Sequence, residues 1–198
     1  MIPAYPLNGI LLELSELKED DILSKAIERA QGVFVSRAFL PGNLSRFNGI
    51  KQLIGDERLL ILDLRLEHPS IEDYQGMGFT LRSTRADAIT VMGIYGKESI
   101  TTEFQQIKKN IVAVVDIGTQ FYRTMVPDKA VVSSAITARD YGCRSVLMTS
   151  LFPDRIKKVR EKVGNGFEII ASKGEGLPIG EGLKAGANLE IVPSNEWS

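Results

Sequence analysis

Asp63 and Arg65 stand two residues apart in the run Leu60-Ile-Leu-Asp-Leu-Arg-Leu-Glu-His-Pro69. In an extended strand that spacing puts both side chains on one face. A carboxylate and a guanidinium facing a ligand could bind or polarise it. The same two groups could form a structural couple, kept because breaking it leaves a buried charge. Glu67 and His68 follow at once. His68 titrates near neutrality and could move a proton, with Glu67 as its titratable neighbour; it could also be an ordinary polar loop side chain. Glu13, Asp63 and Asp116 close three separate apolar runs. Three carboxylates that converge can hold Mg²⁺ with several waters; apart, they are solvated acids. Thr149 and Ser150 close another run, and Ser194 and Asn195 the last. In Lys173-Gly-Glu-Gly-Leu-Pro-Ile-Gly-Glu-Gly182, the glycines Gly174, Gly176 and Gly180 let backbone N–H groups approach an anion ahead of a short helix. Glu175 and Glu181 oppose an anion there, so a plain connecting loop is the alternative. Cys143 reads as a small buried hydrophobe.

What must position these groups is an alternation of short apolar runs with amphipathic segments. Strands are predicted at Ile10–Leu14, Val33–Ser36, Leu59–Leu64, Ala88–Met92, Ile111–Asp116, Ser145–Met148, Glu168–Ala171 and Leu189–Val192. Runs that are apolar at nearly every position suit strands buried on both faces of a parallel sheet. Helices are predicted at Glu19–Gln31, Leu44–Ile54, Ile71–Ser83, Lys97–Lys109, Val126–Tyr141 and Pro153–Val163, with a short one in Gly180–Ala187. Asn43 and Ser70 read as N-caps, and Gly55, Gly142 and Gly164 as helix stops. Eight strands alternating with seven helices predict an α/β protein, a (β/α)8 TIM barrel forming one domain over residues 1–198, without an eighth helix of normal length. In such a barrel the strand C-terminal ends form the active face, which gathers the polar residues above. Asp63 and Arg65 are expected to be buried together inside its mouth, with Leu62, Leu64 and Leu66 turned toward the helices.

Composition narrows the function. The 198 residues carry 24 Lys+Arg against 25 Asp+Glu, a balance without the basic surplus of a dedicated nucleic-acid binder. One Cys excludes a disulfide framework or a Cys-based zinc site, and one His excludes a multi-His metal centre and argues against a Ser-His-Asp triad. No apolar run reaches the roughly 18 residues of a membrane span. Glu13 and Glu16 interrupt the first apolar stretch, unlike a secretory signal, so a cytoplasmic protein is expected.

The run Leu60–Pro69 resembles the third-strand motif Asp-x-Lys-x-x-Asp of the orotidine 5′-phosphate decarboxylase family. Ala86–Ile100 is similar to that family's fourth strand and following loop, Pro153–Val163 and Phe167–Gly176 to its sixth helix and seventh strand, and Ala185–Val192 to its eighth strand. The resemblance spans essentially the whole chain and is closest in style to the short archaeal enzymes. The hexulose-phosphate synthase and keto-gulonate-phosphate decarboxylase branch shares the motif. The resemblance implies a (β/α)8 barrel, a homodimer with sites at its interface, and cofactor-free decarboxylation of orotidine monophosphate to UMP. That reaction uses an Asp-Lys-Asp charge array, one Asp coming from the partner subunit, and a phosphate gripper.

Carried across residue by residue, the motif's first Asp falls on Asp63, its catalytic Lys on Arg65, and its second Asp on Glu67 or His68. The ribose-holding Asp of strand one falls on Glu13, the strand-two Lys on Phe34, the strand-four His on Met92 and the Ser after strand five on Gly118. The phosphate-contacting Gln falls on Pro178 and the gripping Arg on Ser194. An arginine, with a pKa above about 12 and a rigid fork, is a poor proton donor where the family's Lys protonates a carbanion. Losing the phosphate gripper removes remote binding energy that assembles the reacting state. The expected function is therefore a non-catalytic or repurposed relative linked to UMP biosynthesis, without cofactor, taking a phosphorylated small molecule. The alternative is an active Mg²⁺-dependent sugar-phosphate or nucleotide lyase of the same suprafamily. The expected dimer face covers Glu67, His68 and the loop Gly93–Lys97.

Overall fold

A computed structural model of the chain describes residues 9–14, 30–35, 44–66, 84–94 and 110–196, with backbone alone for 44–48 and 66. All eight expected strands form: β1 (Ile10–Leu14), β2 (Gly32–Val35), β3 (Leu59–Leu66), β4 (Ala88–Val91), β5 (Asn110–Val114), β6 (Ser145–Thr149), β7 (Glu168–Ser172) and β8 (Leu189–Pro193). They pair in parallel, in sequence order, and β8 returns to β1 through Leu11↔Ile191 and Leu12↔Val192, closing the barrel. The period of two sorts the side chains. Leu11, Phe34, Ile61, Ala88, Val112, Val114, Leu147, Ile170 and Ile191 pack together as the barrel interior. Their neighbours Leu12, Val33, Leu62, Ile89, Ala113, Val146 and Ile169 pack outward with Ile50, Val131, Ile156 and Val159 of the helices. Each strand is thus apolar at consecutive positions because both of its faces are covered.

Among the described helices, α1 (Leu44–Ile54) keeps the expected bounds. A short helix that was not expected, α2 (Gln120–Met125), precedes the expected Val126–Tyr141 helix, which forms as α3 (Asp128–Asp140). Pro127 separates the two: it lacks an N–H and pushes the residue before it out of the helical region, and Val126 is extended at φ −110 and ψ 110. Thr119 starts α2, its hydroxyl accepting from the Tyr122 N–H at 3.1 Å, and Pro127 stands at the start of α3 as expected. The next helix, α4 (Pro153–Val163), has Pro at its first position and Gly164 at φ 78 after its end, as expected. A single turn, α5 (Glu181–Lys184), lies between β7 and β8, and a 3₁₀ turn at Ser194–Glu196 follows β8. The helices expected at 71–83 and 97–109 lie outside the described residues, as does most of 19–31. The last two positions of 19–31 are not helical, because the Gln31 N–H already donates to Ile10 O at 2.9 Å on the way into β2. Among the described residues, no helix is long and apolar enough to cross a membrane.

Buried polar groups tie the layers together. Lys51 of α1 is buried, and its Nζ donates to Asp87 Oδ2 at 2.7 Å and Arg58 O at 2.8 Å, joining the start of β3 to the start of β4. Glu190 points outward from β8 with no exposure. It accepts from the Gly182 N–H at 2.7 Å and from the Gly180 N–H. Gly180 sits at φ 96, in the left-handed region, and a Cβ at Gly182 would fall 2.5 Å from Ala171 Cβ. Both glycines let α5 lie directly on the barrel wall over this carboxylate. Burial raises the Glu190 carboxyl above the ordinary range, and the two N–H donors oppose that rise. Glu190→Ala strands those amides and is expected to lower unfolding stability by about 2–3 kcal/mol in denaturant melts, with Glu190→Gln losing less.

Candidate functional site

The mouth of the barrel is shaped by an irregularity in β3. Leu62 pairs with Ile89 and Leu66 with Val91, so β3 takes four steps where β4 takes two. The extra residues bulge, and Arg65 adopts φ 43, the one positive φ of a non-glycine residue among those described. Thr90 of β4 holds the bulge. Its hydroxyl oxygen accepts the N–H groups of Leu64 and Arg65, each at 2.9 Å, and its O–H donates to Asp63 Oδ1 at 2.6 Å. Thr90 lies on the inward face between Ala88 and Met92, so a lone hydroxyl in an apolar strand was the signal that sequence reading passed over.

Asp63 and Arg65 do pair, through Arg65 Nε at 3.0 Å from Asp63 Oδ2 and 3.3 Å from Oδ1. The expectation that both are buried is corrected. The Asp63 side chain is 6% exposed but that of Arg65 is 49% exposed, because the bulge tips Arg65 out toward the mouth. Among the described residues nothing engages its two terminal nitrogens. Leu62 and Leu64 face the helices as expected. Glu13, the inward residue near the end of β1, lies close enough to feel both charges. Burial and then the Asp63 carboxylate raise its carboxyl above the usual range, while Arg65 lowers it.

Asp116 does not join Glu13 and Asp63. It is buried and held by Arg155 of α4, with Arg155 Nη1 donating to Asp116 Oδ1 at 2.9 Å. Of the two readings of these three acids, convergence on Mg²⁺ is not the arrangement found: among the described residues no three such ligands come together as a metal site. Arg155, 2% exposed, also donates to Asp128 Oδ1 at 2.8 Å and to the carbonyls of Arg123 and Val126. Sequence reading missed it, since an arginine two positions into a helix looks like a surface residue.

The ends of β6 and β7 are stitched to each other. Ser150 Oγ accepts from the Gly174 N–H at 2.8 Å and donates to Ser172 O at 3.2 Å, and Thr149 Oγ1 accepts from the Leu151 N–H at 3.2 Å. Buried Lys173 pairs with Glu196 of the 3₁₀ turn at 2.6 Å, beside Ser194 and Asn195. Gly176 sits at φ 74 in the open loop. Gly180, expected to offer its amide to an anion, gives it to Glu190 instead, which corrects that expectation. Glu67 and His68 lie outside the described residues. Cys143 is buried, which pushes its thiol up to about 12.

Two positions where the resemblance places polar groups are apolar and inside. Phe34 and Met92 are 2% and 3% exposed and pack in the barrel interior with Leu11 and Ile61. The described mouth therefore offers two carboxylates, one half-exposed guanidinium, hydroxyls of Thr90 and Thr149, and no lysine on the inner face. The one lysine described at these strand ends, Lys173, is taken by Glu196.

No protein-family model matches the chain, and no curated protein sequence does. Solved structures do. The orotidine 5′-monophosphate decarboxylase of Metallosphaera sedula superimposes with a TM-score of 0.78 at 18% identity, covering 96% of this chain and 90% of that one. The enzyme of Methanocaldococcus jannaschii, complexed with the inhibitor BMP, gives 0.77 at 19%, covering 96% and 91%. That of Pyrococcus horikoshii gives 0.73 at 20%, covering 95% and 90%. The chain has the fold of orotidine 5′-phosphate decarboxylases.

The bulge separates two kinds of substitution. Thr90→Val removes three hydrogen bonds and leaves buried Asp63 Oδ1 with only the 3.3 Å contact from Arg65 Nε, an expected loss of about 2–3 kcal/mol. Arg65→Ala removes a half-exposed partner while Thr90 still serves Asp63, so its expected cost is within about 1 kcal/mol. Arg65→Gly relieves the positive φ and should be more stable than Arg65→Ala by about 1 kcal/mol. Urea unfolding of the three variants checks the order.

Proposed function

We propose that this chain is a non-catalytic or repurposed relative of orotidine 5′-phosphate decarboxylase, connected with UMP biosynthesis, that binds a phosphorylated small molecule at the barrel mouth. The observation that carries this reading is Arg65. By the sequence resemblance it falls on the family's catalytic Lys; its Nε is taken by buried Asp63, and its side chain is half exposed at the mouth. A planar fork with two donors suits a phosphate or carboxylate. The apolar filling by Phe34 and Met92 supports loss of the decarboxylation machinery. Glu13, Thr90 and Thr149 are the polar groups beside the anion site.

Calorimetry and a turnover assay with orotidine monophosphate, UMP and ribulose 5-phosphate test this. The expected outcome is binding of a phosphorylated ligand that Arg65→Ala weakens about tenfold or more, with no conversion to UMP. Turnover at about 1 per second or faster, or Mg²⁺-dependent cleavage of the sugar phosphate, overturns it.

The partner in this reading is a second copy of the chain, docked over the strand C-terminal face near Gly93–Lys97. The fold likeness to the decarboxylases supports this choice of face. In the described part of that loop, Ile94 is half-buried against the interior cluster, leaving the rest of its surface at the mouth. Light scattering at micromolar concentration should give twice the chain mass of 21.8 kDa, and a monomer would count against the dimer.

A further inference from the structure

Asp116 Oδ2 is the one buried side-chain polar atom among the described residues without a hydrogen-bond partner. A buried carboxylate oxygen without a donor is costly in its ionised form, and a proton on it removes that cost. Its position makes this consequential. Arg155, the partner of Oδ1, spends its other donors on Asp128 and on the carbonyls of Arg123 and Val126, at the C-terminal end of α2. The α2 helix buries none of its six residues, and Phe121 and Met125, one turn apart, are 75% and 64% exposed. Tyr122 and, at the C-cap, Val126 pack partly against the core, and polar ties complete the attachment of α2: Arg155, the Tyr122 O–H donating to Val115 O at 3.1 Å, and the Thr119 cap. It borders the mouth, since Gly118 just before it lies against Thr149, where a Cβ would fall 3.0 Å from Thr149 Oγ1.

We propose that α2 is a proton-operated flap at the rim of the barrel mouth, with the Asp116 carboxyl group as its catch. Protonated, Asp116 sits in its buried site and α2 stays shut over it; ionised, Asp116 favours the opening that lets water reach Oδ2. The charged groups around the catch are Arg155 on α4, Asp128 on α3, and beyond them Lys158, paired with Asp128 at 2.6 Å, and Arg123 on α2, stacked over Phe152. Burial is the largest influence on Asp116 and lifts it from 3.8 to about 6; Arg155 and the Ile117 N–H pull it down without cancelling that rise, and Asp128 adds to it. Lys158 and Arg155 hold Asp128 below the ordinary carboxylate range, so Asp128 stays ionised while Asp116 titrates. A closed state whose carboxyl is raised binds a proton that the open state releases. Closure is therefore favoured as pH falls through about 6 and lost as it rises through that value. This inference does not depend on which ligand the mouth takes.

Amide hydrogen exchange of the whole chain, corrected for intrinsic rates, tests the flap. The reporters are the amides of Arg123, bonded to Thr119 O, and Val126, bonded to Tyr122 O. Their protection should rise at least about tenfold between pH 7.5 and pH 5, with a midpoint near 6, while the Gly164 amide closing α4 does not change. In Asp116→Asn the pH dependence should vanish; in Asp128→Asn it should persist. Flat protection in the wild-type chain, a parallel rise at Gly164, or a pH response surviving in Asp116→Asn would each overturn the proposal. If Asp116→Asn fails to fold, the wild-type titration with its α4 reference decides alone.

Discussion

Closing eight parallel strands into a barrel leaves every inward side chain in a space with fixed volume and no water. That constraint orders the rest of the molecule. Positions in the lower and middle interior must be apolar, and Leu11, Phe34, Ile61, Val112, Leu147 and Ile170 meet it. Polar groups that face inward can persist only near the strand ends, where a neighbouring hydroxyl or open solvent completes their hydrogen bonds. Asp63 and Thr90 show the limit of what is tolerated. Asp63 is buried, yet the Thr90 O–H and the Arg65 guanidinium serve its two oxygens. Thr90 can reach the β3 amides because β3 bulges toward it, so the geometry of the mouth follows from satisfying one carboxylate.

The outward face meets the same demand with different partners. Glu190, Lys51 and Arg155 are buried between barrel and helices, and each binds backbone groups that no regular ladder satisfies. Glu190 takes two amides at the start of α5, and Lys51 takes the Arg58 carbonyl. Arg155 takes carbonyls at the end of α2. These ions stitch irregular segments onto a regular barrel, which is work an apolar side chain cannot do. Asp116 is the exception, because Arg155 reaches one of its oxygens while dividing its donors among three other groups.

The strands were legible because burial on both faces leaves a local mark, a continuous apolar run of the right length. Their ends shifted by a residue or two, since Val115 still donates to Leu147 O after regular β5 pairing has ended. Pro127 was legible as a helix start, and α3 begins directly after it; α2 was not legible, because its six residues carry no fully buried apolar position to set a period. In the site, Asp63 and Arg65 were found because their spacing is local. Thr90, Arg155 and Glu190 were not, because their partners lie 27, 39 and 8 residues away and only the closed barrel brings them together. The half-exposure of Arg65 was beyond strand periodicity altogether, as it depends on a positive φ that alternation rules exclude.

The likeness to decarboxylases of known structure and the content of the mouth answer different questions. Superposition over 96% of the chain at 18% identity shows that two chains with very different side chains share one barrel fold. Chemistry does not survive on those terms, because it resides in a handful of groups grafted onto the scaffold. A lysine can present three donors on a flexible stem and lose a proton when its surroundings favour it. An arginine at the same place stays charged and directs its fork sideways. Here the bulge turns that fork along Asp63, so the cation's strongest attraction is spent inside the protein before any ligand arrives. The guanidinium that reaches the mouth is thereby oriented and partly neutralised. Superposition reports the scaffold, and only the groups at the mouth report what can be done there.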